Sequence, residues 1–103
     1  MMIPIKEYLN YKHLYIDDSE KKVILLGYKF NVTKTEYLVL FHLVSQNNKP
    51  ISAPSLSALS GVEFSKEKLT RTVFNINRKA YPITKRKLIK NMIKIGYFLN
   101  EEM

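Results

Sequence analysis

The stretch SKEKLTRTVFNINRKA, residues 65–80, decides how the rest of the chain is read. Ser65 suits a helix N-cap, where its hydroxyl accepts from a free backbone N–H of the first turn, and Pro82 stands just past the far end. At about 100° per residue, Leu69, Val73, Ile76 and Ala80 fall in one narrow apolar stripe, which predicts a helix over 66–80 packed along one side. The opposite face carries Lys68, Arg71, Asn75 and Arg78. A guanidinium donates two bonds to guanine and a carboxamide pairs as donor and acceptor with adenine, so such a face suits base edges in a major groove. An ordinary solvated helix face has a similar composition. Phe74 also projects off the apolar stripe.

Charge concentrates around this segment. The chain has 17 basic and 9 acidic residues, a net charge of +8. Between Ser65 and Lys94 ten basic residues face Glu67 alone, a net of +9, while the remainder, with seven basic and eight acidic residues, is −1. Clustered Lys and Arg are the electrostatic footprint of a nucleic-acid binder, because phosphates and their released counterions reward them. Charge alone also admits an anionic membrane, an acidic protein or a merely solvated surface.

Working back toward the N-terminus, Ser52 caps a short helix over 53–60 that tolerates Pro54 in its first turn, turns Leu56 and Leu59 inward and stops at Gly61. Before it, Thr33-Lys34-Thr35-Glu36 reads as a capping box for a helix over 34–46, with Tyr37, Leu40, Phe41 and Val44 on one face. Earlier still, Leu14–Ile16, Val23–Leu26 and Lys29–Val32 alternate with turns at Asp17–Glu20 and Gly27–Tyr28, which predicts an antiparallel sheet over about 12–32. On the C-terminal side, Leu88–Met92 and Ile95–Leu99 flank a tip near Ile93–Lys94 and predict a hairpin over about 87–99, without the Gly that a tight two-residue turn prefers. A sheet, three helices and a closing hairpin form an α+β winged helix-turn-helix. At 103 residues, below the roughly 150 of an average domain, the chain reads as one domain over 1–103.

Several function classes drop out. The sequence has no Cys, which excludes disulfides, Cys-ligated zinc, iron–sulfur clusters and a thiol nucleophile. No apolar run approaches the roughly 20 residues of a membrane span, and residues 1–13 hold no export segment, so a cytoplasmic chain without a membrane partner is expected. His13 and His42 stand apart in the sequence, and Asp17, Asp18 and Glu20 sit on a turn where such residues are common. No phosphate cradle, paired-His helix or nucleophile elbow appears. Neither a catalytic residue, a metal site nor a cofactor is expected, and the chain does not read as an enzyme.

From Phe30 to Leu99 the sequence resembles the DNA-binding output domain of the OmpR/PhoB-type response regulators. Asn31 to Tyr37 matches that family's L-T-x-x-E-[FY] helix start, and Ile51-Ser52 matches its v-S entry to the second helix. Ile76 to Ala80 matches the L-R-x-K-L end of the recognition helix, and Ile95 to Leu99 the closing v-G-Y-x-[LF] strand. Two departures stand out. The wing arginine that reaches the minor groove in the family corresponds to Ile93, leaving Lys94 or Lys90 for that role, and the loop between the second and third helices is cut to about four residues. In some members that loop touches RNA polymerase.

The resemblance implies a sequence-specific, double-stranded DNA-binding transcription regulator. Its third helix would read the major groove through Arg71, Asn75 and Arg78, with Lys68, Thr72 and Lys79 near phosphates and Lys90 and Lys94 of the wing at the minor groove. It also implies tandem homodimers on direct repeats, with RNA polymerase or another regulator as further partners. The family's receiver domain has no counterpart in these residues, so a stand-alone regulator not switched by aspartyl phosphorylation is expected. The rival expectation is a protein-interaction or anti-regulator module that keeps the winged-helix scaffold but has lost DNA readout.

Overall fold

The computed structural model describes residues 8–102, with side chains from Asn10 onward. The leading segment 1–7, part of the stretch in which no export signal was read, lies outside the described residues. Four antiparallel strands run in sequence order, β1 (Tyr8–Tyr11), β2 (Leu14–Asp17), β3 (Lys22–Leu25) and β4 (Tyr28–Phe30). Leu14 pairs with Leu25 and Ile16 with Val23, so the strand alternation places all four on one buried face. The sheet starts earlier than expected, because β1 was not read from the sequence. The β3–β4 hairpin also turns one residue sooner, at Leu26–Gly27, where both residues have positive φ (50° and 83°) as a two-residue turn of this hand requires. In the β2–β3 hairpin, Asp17 accepts from Ser19 N at 3.1 Å and from the Ser19 hydroxyl at 2.7 Å, an Asx turn that accounts for its acidic side chain.

Helix α1 (Lys34–Ser45) opens on the expected capping box. Glu36 N donates to Thr33 Oγ1 at 3.2 Å and Thr33 N to Glu36 Oε1 at 3.0 Å. Its Leu40 and Leu43 are fully buried against the sheet and the other helices' core residues. Tyr37 donates its hydroxyl to Asp18 in the turn between β2 and β3. Burial and that carboxylate push the Tyr37 phenol up, while Asp18 is held below its ordinary value first by its bond from Lys21 and then by Tyr37.

Helix α2 (Ala53–Ser60) is capped by Ser52 and ends on Gly61, whose φ of 73° suits the left-handed C-cap. It buries Ala53 and Leu56. Leu59, expected inward, is exposed instead, since three residues of helix carry it about 60° beyond Leu56 and away from Ala53. The Ser57 hydroxyl donates to Ala53 O at 2.8 Å and accepts from Phe64 N at 2.8 Å, folding the short connection onto α2 and burying Phe64.

Helix α3 (Lys66–Thr84) starts on the Ser65 cap but runs past the predicted end at Ala80, with Pro82 inside its last turn. Pro82 leaves the Arg78 carbonyl without its helical N–H, yet its fixed φ is helical and the terminal turn has little left to disrupt. The Thr84 hydroxyl back-bonds to Ala80 O at 3.2 Å, and Lys85 closes the helix in the left-handed region at φ 59°. The wing follows as β5 (Ile89–Met92) and β6 (Gly96–Leu99), joined by Ile93, Lys94 and Ile95. Lys94 takes the positive φ, 67°, that a glycine would adopt more cheaply. The described residues thus form a winged helix-turn-helix.

Candidate nucleic-acid interface

The apolar stripe of α3 points Leu69, Val73, Ile76 and Ala80 into the core, as the spacing predicts. On the opposite side stand Arg71 and Arg78, seven residues and about 20° apart on the helix surface. Both are exposed. Arg71 makes no hydrogen bond or ion pair among the described residues, and Arg78 has only a 3.4 Å bond from Nη2 to Asn75 Oδ1. Phe74 (64% exposed) and Tyr81 (57%) share this outward side. Asn75 is half-buried at its margin.

The other residues expected on the phosphate-facing side lie elsewhere. Thr72 is 7% exposed and donates its hydroxyl to Lys68 O at 2.7 Å, so its place on an exposed face is corrected: it sits about 60° from the core stripe and α1 covers that flank. Lys79 lies on the same flank. Its ammonium is 2.5 Å from Glu36 Oε1 and 3.2 Å from Asn31 O, which ties α3 to the start of α1. Glu36, with a side chain 5% exposed, therefore receives both the Thr33 N–H and the Lys79 ammonium. Lys68 turns back to Glu63 O at 3.4 Å and lies 4.9 Å from the Phe64 ring centroid, a cation–π arrangement over the α2–α3 connection. Lys90 and Lys94 are exposed on the wing, as expected.

What holds the wing beside α3 was not read from the sequence. Asn77 receives the Ile89 N–H on Oδ1 at 2.8 Å and donates Nδ2 to Ile89 O at 3.0 Å, as a neighbouring strand would. Asn48 does the same to Leu99 at the other edge, at 2.6 and 3.0 Å. Ile89 and Leu99 are cross-strand partners, so two carboxamides close both edges of the hairpin at one level. Nearer the tip, Ile51 and Tyr97 exchange backbone bonds of 2.9 and 2.8 Å, and the Tyr97 hydroxyl meets Thr70 of α3 at 3.1 Å. The only sequence signal for Asn77 is its wheel position, a polar residue at the edge of the buried stripe. Asn48, in a turn, gave none.

Between the outward side of α3 and the wing runs a groove of about 720 Å³, lined among others by Phe74, Arg78, Tyr81, Arg86, Lys87 and Asn91. Arg86 is partly engaged, donating to Glu102 O at 3.2 Å. A framework of half-buried carboxamides and backbone bonds thus presents guanidinium, ammonium and aromatic groups on one continuous surface. This arrangement can neutralise phosphates while placing two forked donors at base-edge depth. The histidines lie outside it: His42 packs edge-on to Phe41, and His13 precedes β2, its pKa lowered chiefly by burial. No group of three metal-ligating side chains occurs among the described residues, and no helix there is long and apolar enough to cross a membrane.

No protein-family model matches the sequence. Nor does a curated protein match it by sequence. Compared as a structure, the chain is similar to the DNA-binding domain of the response regulator AdeR, solved in complex with an intercistronic region. The TM-score is 0.74 at 20% identity, over 88% of this chain and 96% of that one. It is similar also to the RstA DNA-binding domain of Klebsiella pneumoniae in complex with the RstA box, with a TM-score of 0.74 at 17% identity over 92% and 98% of the two chains. A third likeness is to the response regulator DrrB of Thermotoga maritima, an OmpR/PhoB homologue. There the TM-score is 0.65 at 21% identity, over 91% of this chain and 44% of the larger protein. The chain has the winged-helix fold of the OmpR/PhoB response-regulator DNA-binding domains.

Proposed function

We propose that this protein, as a single domain over 1–103, is a sequence-specific double-stranded DNA-binding transcription regulator acting in the cytoplasm. The observation that carries the reading is the exposed pair Arg71 and Arg78 on the outward side of α3, the latter bonded only to Asn75, beside a wing fixed by Asn77. In this reading α3 lies in the major groove, where Arg71 and Arg78 donate to guanine edges and Asn75 reaches an adjacent base from the margin. Phe74 stands between the two arginines and covers a thymine methyl or sugar. Lys90, Lys94, Lys87 and Arg86 neutralise phosphates on the wing side, whereas Lys79 and Thr72 act within the protein and Lys68 steadies the helix-turn-helix connection. The AdeR and RstA domains, which have the same fold and were solved with an intercistronic region and the RstA box, support DNA as the partner. Tandem binding to direct repeats, and contact with RNA polymerase or another regulator, extend the proposal.

The test is selection of bound duplexes from a random pool, followed by titration of variants against the selected and a scrambled duplex. Arg71→Ala and Arg78→Ala should each cost about 1 to 3 kcal/mol on the selected duplex and relax the preference at one position. Failure to enrich any sequence, or binding by both variants as tight and as selective as the parent's, removes the reading. The rival, a protein-interaction module without DNA readout, is favoured by one observation, the apolar residue Ile93 on the wing. Complexes of the two kinds separate by salt: a phosphate-dominated complex dissociates as ionic strength rises, and an apolar protein contact survives.

A further inference from the structure

The tip of the wing is apolar where the rest of the surrounding surface is cationic. Ile93 is 78% exposed, more than any other large apolar side chain among the described residues, and Ile95 (58%) and Met92 (38%) stand beside it. Lys90 precedes these three along the hairpin and Lys94 stands between Ile93 and Ile95, both exposed. The hairpin beneath them is fixed on several sides, by Asn77 on Ile89, Asn48 on Leu99, Ile51 on Tyr97 and Tyr97 on Thr70. Gly96 adds a close approach, since a Cβ there would lie 2.6 Å from the Ile51 carbonyl carbon. Three branched or flexible apolar side chains are thus held on a fixed hairpin, Ile93 largely in water and Ile95 and Met92 partly so.

Exposed apolar groups of this kind invite burial. Three side chains fall far short of the roughly 800 Å² per partner that a stable protein interface buries, and a protein partner would also have to accommodate the two lysines. A wedge into a stacked polyanion satisfies both features, with the lysines on phosphates and the apolar groups between bases. Architectural proteins insert Ile, Met, Leu or Phe between base steps from the minor groove and kink the duplex by about 20 to 90°.

Resting on the DNA-binding reading above, we infer that the wing tip is a minor-groove wedge in which Ile93 and Ile95, with Met92 behind them, enter a base step and unstack it while Lys90 and Lys94 hold the flanking phosphates. The wedge then contributes specificity without base hydrogen bonds, because pyrimidine–purine steps yield to kinking more easily than others. Operator preference at the wing would therefore be set by deformability, and preference under α3 by hydrogen bonding.

The probe is the selected duplex carrying 2-aminopurine, placed in turn at each step flanking the α3 contact, with fluorophores at the duplex ends to report bending. The full chain should raise 2-aminopurine fluorescence several-fold at one step and shorten the end-to-end distance. The double variant I93S/I95S, whose changes lie in exposed side chains and leave the melting temperature unchanged, should abolish both signals and weaken binding about tenfold, the order expected for lost wedge burial. I93R should recover affinity through charge without restoring the fluorescence rise. A bound duplex that stays stacked and straight, or I93S/I95S binding and bending as the parent does, overturns the wedge while leaving major-groove recognition intact. Loss of concentration-dependent self-association in I93S/I95S, with unbent DNA, overturns it in favour of an interface between copies. Absence of binding to every duplex overturns both readings at once, and only that outcome touches the first.

Discussion

On the side of α3 that faces α1, Lys79 reaches a buried carboxylate and a backbone carbonyl, and Thr72 is sealed against its own helix. On the outward side, Arg71 and Arg78 meet almost nothing. Lys79 and Arg78 are adjacent in sequence and carry the same charge, yet about 100° of helix separates a structural cation from a free one. A basic segment is therefore not a footprint in itself. Its angular position on the helix decides which cations the fold consumes and which remain for a ligand. The same division runs through the wing, where Tyr97 and Gly96 belong with Asn77 of α3 to the framework and Lys90, Ile93 and Lys94 to the surface.

Substitution in the framework should damage stability, and substitution on the surface should damage binding. The largest effect is expected at Gly96. Its φ of 155° and the Ile51 backbone leave no room for a side chain, and the obstacle is a carbonyl rather than a flexible tip. Gly96→Ala should cost about 3 kcal/mol, on the order of 15 °C in melting temperature for a domain of this size. Amide exchange should show protection lost first at Tyr97 and Ile51, whose mutual bonds the displacement would break. A melting temperature within a few degrees of the parent would mean that the wing is not locked to the α1–α2 connection.

Next in size is the contrast between the neighbours themselves. Lys79→Met leaves Glu36, 4% exposed, without its cation while keeping the alkyl stem. Loss of one partner from a fully buried pair costs about 3 to 5 kcal/mol, and because the Lys79 side chain is 35% exposed the expected loss here is nearer 2 kcal/mol. Arg78→Ala should change stability by less than about 0.5 kcal/mol. Urea titration measures the one and duplex titration the other, and the expected pattern is crossed: Lys79→Met unstable but binding, Arg78→Ala stable but impaired. Equal stability losses in both variants would erase the distinction between the two sides of the helix.

How much of this was legible follows the same division. The caps at Thr33, Ser52 and Ser65 are local in sequence, and each forms as read. Residues at the centre of an apolar stripe, such as Leu69 and Ile76, or directly opposite it, such as Arg71 and Arg78, were placed correctly by periodicity. Thr72 and Lys79, about 60 to 100° from the centre, were not, and Asn77 on the opposite flank drew no expectation, because whether a flank is covered depends on a neighbour far away in sequence. Leu59 failed for the same reason in a helix too short to define its own stripe. Pro82 reads as a stop, yet α3 passes through it to Thr84, because the proline φ is itself helical and only the Arg78 carbonyl of the preceding turn loses its N–H. Leu26 and Lys94 both take positive φ in turns where composition offered a better candidate or none, and only the pairing register across the hairpins fixes them there.

The smallest expected effect concerns the histidines, which belong to the framework although they are ionisable. Burial lowers both His13 and His42 from their ordinary 6.5, with Lys12 adding to the effect at His13 and Glu101 opposing it. Nε2 of His13 is buried without a hydrogen-bond partner in the structure, so a proton there gains nothing to offset desolvation. A base whose folded pKa lies below its unfolded one binds more protons unfolded. Stability is then complete above 6.5 and declines as pH falls through 6.5 toward the folded values. Asp18, held below its ordinary 3.8 by Lys21 and Tyr37, adds a separate decline only as pH falls through 3.8. Thermal melts between pH 8 and pH 5 should therefore show a shallow loss that His13→Gln reduces, with no change in the wild-type profile above pH 7. A flat profile between 6.5 and 5 in the parent would place both imidazoles in water and remove them from the framework.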